Sequence, residues 1–142
     1  MGLRMLDVPG VRNVRDLGGL PVDIDDDGTA DGYLKYGKLI RGIKLNSSNS
    51  ITELNNLGLT KELDLREATS DTYKLSNYQR VEAQNYYMKH NSSNSQEQEY
   101  YAMTRAAVKQ AMLDITNSTN PQNVYFHCRI GTDRTGTVAY IL

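Results

Sequence analysis

An α/β fold is what this sequence predicts, and three observations carry the expectation. Val124-Tyr125-Phe126 is a short, wholly apolar run of the kind that becomes a buried central strand. Ahead of it, residues 97–116 contain neither Gly nor Pro and space Tyr101, Val108, Met112 and Ile115 at helical intervals. A turn cluster from Asn117 to Asn123, around Pro121, separates the two, and helix, turn, buried strand is the grammar of α/β proteins. With 142 residues, 39% of them hydrophobic and 23% charged, the chain has the size of a single domain, 1–142. A chain of this length buries roughly 70% of the surface its unfolded form exposes, enough for a core without covalent staples.

The remaining elements follow in chain order. Pro9 to Leu20 is mixed in character and glycine-ended, which predicts extended chain and turns. Asp23 to Gly32 is an acidic turn between Leu20-Pro21-Val22 and the strand-like Tyr33 to Tyr36, so a long hairpin is expected there. Gly37 to Arg41 reads as another short strand, and Asn46 to Ser50 is a polar loop rich in helix N-cap residues. Ile51, Leu54 and Leu57 recur at helical spacing before Gly58, a C-terminal stop. Leu59 to Leu65 alternates and ends in Asp64-Leu65-Arg66, a strand ending in charge. Tyr73 to Arg80 is ambiguous, Val81 to Met88 is aromatic and β-prone enough to predict a strand, and Asn91 to Gln96 is a Ser/Asn-rich loop.

Composition excludes several classes of function. Cys128 is the only cysteine, which rules out an internal disulfide framework, and no Cys/His cluster has the spacing of a zinc site. The chain is expected to need no metal and no organic cofactor. A formal net charge of -1 argues against a broad nucleic-acid footprint, which needs clustered Lys and Arg. No apolar run has the length of a membrane span, and Met1 to Leu6 is too short for the core of a signal peptide. A cytoplasmic location is expected, or secretion if a leader was removed upstream of Met1. Asp23-x-Asp25-x-Asp27-Gly28 copies the first half of an EF-hand loop but has Leu34 where the bidentate Glu belongs, so a solvated hairpin tip is the expectation. Asn46, Asn91 and Asn117 open sequons of a kind that Ser/Asn-rich loops generate freely. Tyr86-Tyr87 and Tyr100-Tyr101 read as core packing, and His90 as a solvated loop residue.

The chemistry concentrates directly after the apolar strand, in His127-Cys128-Arg129-Ile130-Gly131-Thr132-Asp133-Arg134-Thr135-Gly136. A loop between a strand and a helix aims successive backbone N–H groups inward at the positive end of the helix, which makes a nest for an oxyanion. Gly131 lets the backbone turn without a Cβ clash. Cys128 falls at the floor of the nest and Arg134 on its rim, where a guanidinium clamps two phosphate oxygens in a bidentate fork. The same field lowers the pKa of the thiol and makes Cys128 a nucleophile. Proton transfer to the leaving oxygen, and later from water, falls to Asp133 or to Asp64. Thr135 donates its hydroxyl to the sulfur and improves it as a leaving group, while His127 orients the cysteine. Arg129, Ile130, Gly131, Thr132, Asp133 and Arg134 make up the substrate-binding loop. A rhodanese-like sulfur-transfer loop also seats a cysteine in an anion nest, but the wider loop here suits phosphate.

This loop resembles the phosphate-binding signature of the cysteine-dependent protein tyrosine phosphatases. Asn13-Val14-Arg15-Asp16-Leu17-Gly18-Gly19, then Tyr36-Gly37-Lys38-Leu39-Ile40-Arg41-Gly42, then Leu57-Gly58-Leu59 leading into Asp64-Leu65-Arg66 resemble, in order, the marks of a bacterial and fungal branch. That branch hydrolyses phosphotyrosine, phosphoserine/threonine and phosphoinositides, and some members are secreted. The resemblance implies a central, mainly parallel sheet flanked by helices, with the loop at the carboxyl end of a strand. It implies Cys128 as nucleophile, Arg134 as phosphate clamp and Asp133 as the loop acid. It places Asp64 and Arg66 at a strand end near the site, and Arg15 and Asp16 as braces of the loop. Thr132 stands where the branch usually has lysine, which favours phosphotyrosine or a small phosphoester over multiply phosphorylated lipid head groups.

A phosphorylated protein or small phosphoester is thus the expected partner. The rival reading is an inactive pseudophosphatase serving as a phosphate-binding interaction module. Relatives continue for several helices beyond Gly136, so a C-terminally truncated domain is expected. The apolar stretch from Val138 to Leu142 would then call for a covering neighbour or self-association.

Overall fold

In a computed structural model of the chain, the residues described are 4–23, 25, 27–67, 71–83, 93–117 and 119–141. Strands β1 (Arg4–Met5), β2 (Arg15–Asp16), β5 (Leu39–Gly42), β6 (Lys61–Asp64), β7 (Asn77–Arg80) and β8 (Val124–His127) form one sheet in the order β1-β2-β5-β8-β6-β7. β8 runs parallel to β5 and β6 on either side of it, and β7 runs parallel to β6. β1 and β2 close the β5 edge in antiparallel sense. Strands β3 (Pro21–Val22) and β4 (Gly32–Tyr33) pair as the expected hairpin around the acidic turn. The helices are α1 (Ser48–Asn56), α2 (Ser95–Thr116) and α3 (Asp133–Ile141). This is the α/β architecture expected, with a largely parallel centre, and no helix among the described residues is long and apolar enough to cross a membrane.

Period-two alternation sorts the core into two layers. Leu39, Leu63, Val124 and Phe126 face α2 and α3, where they meet Ala107, Ala111 and Val138. Ile40 and Tyr125 face the other way, against Leu54 of α1 and the Val8, Val11 and Val14 segment. Every residue of β8 is buried, as its apolar run requires. Helix α1 is capped as its sequence predicts: the Ser47 hydroxyl accepts from the Ser50 amide at 3.1 Å, and Gly58 takes the left-handed conformation after the last turn. Helix α2 buries Thr104, Ala107 and Ala111 most deeply, with Val108, Met112 and Ile115 at the margin of the core. The contact line therefore runs along small residues beside the large ones that announced the helix, which lets α2 lie close to the sheet.

One expectation needs correction. The strand after β6 is Asn77–Arg80, within the segment whose sequence is ambiguous. Val81 to Ala83, the described part of the expected strand 81–88, only continues its extended path, with amides bonded to Asp64 and Leu65 carbonyls. An edge strand has one paired side and half-exposed faces, so β7 lacks the apolar alternation that marks an interior strand. Residues 84–92, with Tyr86, Tyr87 and His90, lie outside the described residues. Helix α3 begins at Asp133, inside the glycine-containing loop, so the last residues of the loop are also the first turn of the helix. Val138 of its apolar segment is buried against the α2 layer. Leu142 lies outside the described residues.

Close approach between β5 and β8 fixes one glycine. A Cβ on Gly42 would sit 2.3 Å from the Tyr125 hydroxyl, which donates to the Ile43 carbonyl at 2.5 Å. Gly42→Ala is expected to destabilise the fold by about 1–3 kcal/mol through overpacking. Urea denaturation measures it, and Gly42→Ala combined with Tyr125→Phe should recover part of the loss.

Candidate active site

The parallel strands β5, β8 and β6 end together, and the residues singled out in the sequence gather at their carboxyl ends. β8 delivers His127, and the chain then turns through Cys128 to Thr132 into α3. Ligand sites of open α/β sheets form at this edge because the loops diverge there and helix N-termini face it. Gly131 adopts φ +76°, and a Cβ on it would lie 2.5 Å from the Gly42 carbonyl oxygen, so conformation and space both require glycine.

Cys128 is buried at the bottom of this turn. Burial pushes its thiol pKa up, but the Thr135 hydroxyl and the amides of Thr135, Gly131 and Ile130 all point at the sulfur, and together they hold it below the ordinary value. The Thr135 hydroxyl is fully buried and has no well-aligned hydrogen-bond partner, the sulfur included, so it acts on the sulfur as a nearby dipole. A thiolate strengthens all of these contacts, whereas a thiol makes poor use of them. Arg129, Ile130, Thr132 and Asp133 are exposed at the top of the loop, Ile130 by 58%. Arg134 is half-buried, and its guanidinium is ion-paired with the exposed Glu67 carboxylate. That pairing holds Glu67 below the usual carboxylate range.

Behind the loop lies a layer of buried polar groups on the face of the sheet shared by α1. His127 Nδ1 contacts the Cys128 carbonyl at 2.8 Å, and its Nε2 lies 2.7 Å from Glu62 Oε1. The other Glu62 oxygen accepts from the Leu75 amide at 2.6 Å. Asp64 is fully buried and accepts two bonds from the Arg66 guanidinium, at 2.8 and 2.7 Å, one from the Arg66 amide and one from the Tyr78 hydroxyl. Burial pushes the Asp64 carboxyl up, but Arg66, the nearby His127 and Tyr78 outweigh it and hold it low. Arg66 also pairs with Asp71 at 2.6 Å, and the two carboxylates hold its guanidinium firmly charged.

The opening motif divides its labour unexpectedly. Asn13, at φ +59°, sends its side-chain amide to the Gly131 carbonyl at 3.1 Å and to that of Ile130 at 3.4 Å. Asp16 is fully buried and binds the Gly18 amide, the Gly37 amide and Arg4, tying the motif to the start of β5. Arg15 donates to the sulfur of Met5. The side chain of this motif that reaches the loop is thus that of Asn13, and Asp16 secures its base. Arg41, Glu62 and Glu67 are further site residues that sequence reasoning passed over. Glu62 sits at a polar position of an alternating strand, a pattern that ordinarily means solvent, and here its side chain is 1% exposed.

Among the described residues, two groups of Asp, Glu or His side chains come close enough to hold a cation. Glu62, Asp64 and His127 are fully engaged with one another's neighbours, as described above. Asp23, Asp25 and Asp27 are exposed at the hairpin tip, where Asp23 accepts from the Asp27 and Gly28 amides.

The family model described as tyrosine phosphatase family matches residues 6–142. No curated protein matches the chain.

Because the folded thiol is held below its ordinary value, and the unfolded thiol titrates near about 8.5, the thiolate stabilises the fold fully above that pH and progressively less as pH falls through the folded value. The stability gap between the natural chain and Cys128→Ser, measured by urea denaturation, should therefore shift in favour of the natural chain between about pH 5 and about pH 9. A gap that stays constant over this range would show that the loop does not favour the thiolate.

Proposed function

This chain belongs to the tyrosine phosphatase family, and on that premise we propose that it hydrolyses phosphotyrosine or a related phosphoester through a phosphocysteine on Cys128. The observation that carries the reading is the convergence of three backbone amides and the Thr135 hydroxyl on one buried sulfur. Those same amides, on a loop leading into a helix, suit the equatorial oxygens of a phosphoryl group.

In the first step the Cys128 sulfur attacks phosphorus, an S–P bond forms, and the bond from phosphorus to the leaving oxygen breaks. Asp133 protonates that oxygen, since it stands exposed at the mouth as the first residue of α3. In the second step water attacks phosphorus, Asp133 takes its proton, and the S–P bond breaks to return the thiolate, which Thr135 stabilises as it departs. Arg134 exchanges Glu67 for the phosphoryl oxygens and forks around them as negative charge spreads. Asp64 is assigned a structural role in place of the acid role the sequence left open: both its oxygens are occupied, and it is removed from solvent. Thr132 leaves the rim one cation short of a lysine-bearing loop, which favours a monophosphorylated substrate.

The chain should release phosphate from an aryl phosphate in the presence of a chelator, and Cys128→Ser should abolish turnover while retaining vanadate binding. Vanadate binding by the natural chain without any hydrolysis would instead support a phosphate-binding interaction module. Asp133→Asn should lower kcat by about 10²–10⁴ on substrates with poor leaving groups, and by much less on aryl phosphates that leave unaided. Asp64→Asn should act chiefly on stability, costing about 3–5 kcal/mol by leaving the buried Arg66 underpaired. Denaturation beside steady-state kinetics separates the two.

A further inference from the structure

Strand β5 carries a cation where the fold otherwise places apolar side chains. Arg41 pairs in register with Phe126, on the face that Leu39, Leu63, Val124 and Phe126 present to α2 and α3. Its side chain is buried, with only 8% of the residue exposed. One terminal nitrogen donates to the Gly131 carbonyl at 2.6 Å, while the buried Nε has no hydrogen-bond partner. The first turn of α3 lies against it, since a Cβ on Gly136 would be 3.6 Å from the same terminal nitrogen. Among the described residues, no carboxylate lies within ion-pair distance of Arg41. A buried, unpaired guanidinium is costly unless an anion offsets it. Burial and the like charge of Arg15 on β2 both act against the Arg41 cation, and Cys128 acts in its favour.

We infer that Arg41 is a positioning residue for the nucleophile: it draws the Gly131 carbonyl away from the sulfur, so that the Thr132 amide that follows it faces inward, and its buried charge is the counter-charge of the Cys128 thiolate. This rests on Cys128 being the nucleophile, as proposed above. The first half follows from peptide geometry, because the peptide plane that turns the Gly131 carbonyl outward turns the Thr132 amide, which follows it, inward. The second follows from electroneutrality in a dry site. Acting on Cys128 are Arg41 from β5, Tyr125 from β8 and Thr135 from α3, and its charged or titratable neighbours along the chain are His127, Arg129, Asp133 and Arg134. Of the two arginines, Arg134 has a carboxylate of its own in Glu67. Arg41 has the thiolate.

Cys128 is the sole cysteine, so thiolate ultraviolet absorbance and the pH profile of alkylation by iodoacetamide both report on it alone. Arg41→Gln should raise the midpoint by about one pH unit, which is about tenfold less thiolate at any pH below both midpoints. Arg41→Lys keeps the charge and should stay near the natural midpoint. An unchanged midpoint in Arg41→Gln, or an equal rise in Arg41→Lys, overturns the inference. Should Arg41→Gln fold poorly, its cost in stability at about pH 8 is compared in the natural and Cys128→Ser backgrounds. A smaller cost beside serine supports the counter-charge, and an equal cost overturns it. Turnover of an aryl phosphate by the natural chain tests the reading of Cys128 separately. Turnover with an unmoved midpoint removes only the role of Arg41, and a raised midpoint without turnover leaves Arg41 as counter-charge in a non-catalytic anion site.

Discussion

A loop that points its amides at one sulfur must point its carbonyls away, and each outward carbonyl needs a donor or it becomes a buried, unpaired acceptor. The fold meets this requirement at every residue from Cys128 to Thr132. The carbonyl of Cys128 is bonded by His127, that of Arg129 by the Lys44 amide, and that of Ile130 by Asn13. Gly131 is bonded by Arg41 and Asn13 together, and Thr132 by the Gly136 amide in the first turn of α3. Donors come from four separate places: β8 itself, the opening motif, the end of β5 with the segment after it, and α3. Motifs far apart in the chain are thus fastened to one short turn, which would not hold its inward amides in isolation.

The sheet supplies the rigidity behind these bonds. β8 lies between two parallel strands with both faces covered, so His127 is held at a fixed height, and Glu62, opposite Tyr125 on β6, reaches across to it. Glu62 binds the Leu75 amide and Asp64 binds Tyr78, so the polar layer also fastens the chain leading into β7. Buried charge of this kind is a poor source of stability, because desolvation offsets most of the attraction. Its placement suits specificity of position better: each carboxylate has a full set of donors, and the groups it holds lie at the strand ends from which the site is built.

Much of this was legible in the sequence, though unevenly. The buried strand, the glycine loop and the helix after it were plain, because an apolar run followed by Gly and Arg at fixed spacing has few other uses. Alternation on β6 identified the strand but gave no sign of the buried Glu62, since a polar residue between apolar ones ordinarily faces water. Here the second face is covered by α1 and the chain around Leu75, and nothing local in the sequence reports on that cover. β7 was missed because an edge strand has no apolar period, and its pairing is set by β6. Arg41 stood inside a motif without an assigned role. Its meaning depends on its register against β8, a long-range fact.

The Arg134–Glu67 pair shows how the site keeps a reactive cation available. Glu67 is 66% exposed, so its ion pair is screened and contributes only about 0–1 kcal/mol. On the proposed function, a phosphoryl group seated on the loop would offer the planar guanidinium fork of Arg134 two oxygens of a dianion in a drier setting, where charge-assisted bonds are stronger. Exchange of one partner for the other would therefore favour such a substrate, at little energetic cost. A stronger or buried partner would have held the guanidinium away from the oxygens, and no partner at all would have left it free to swing in solvent. The weak pair orients Arg134 on the rim without committing it, whereas Arg41, buried below, is fastened to the Gly131 carbonyl.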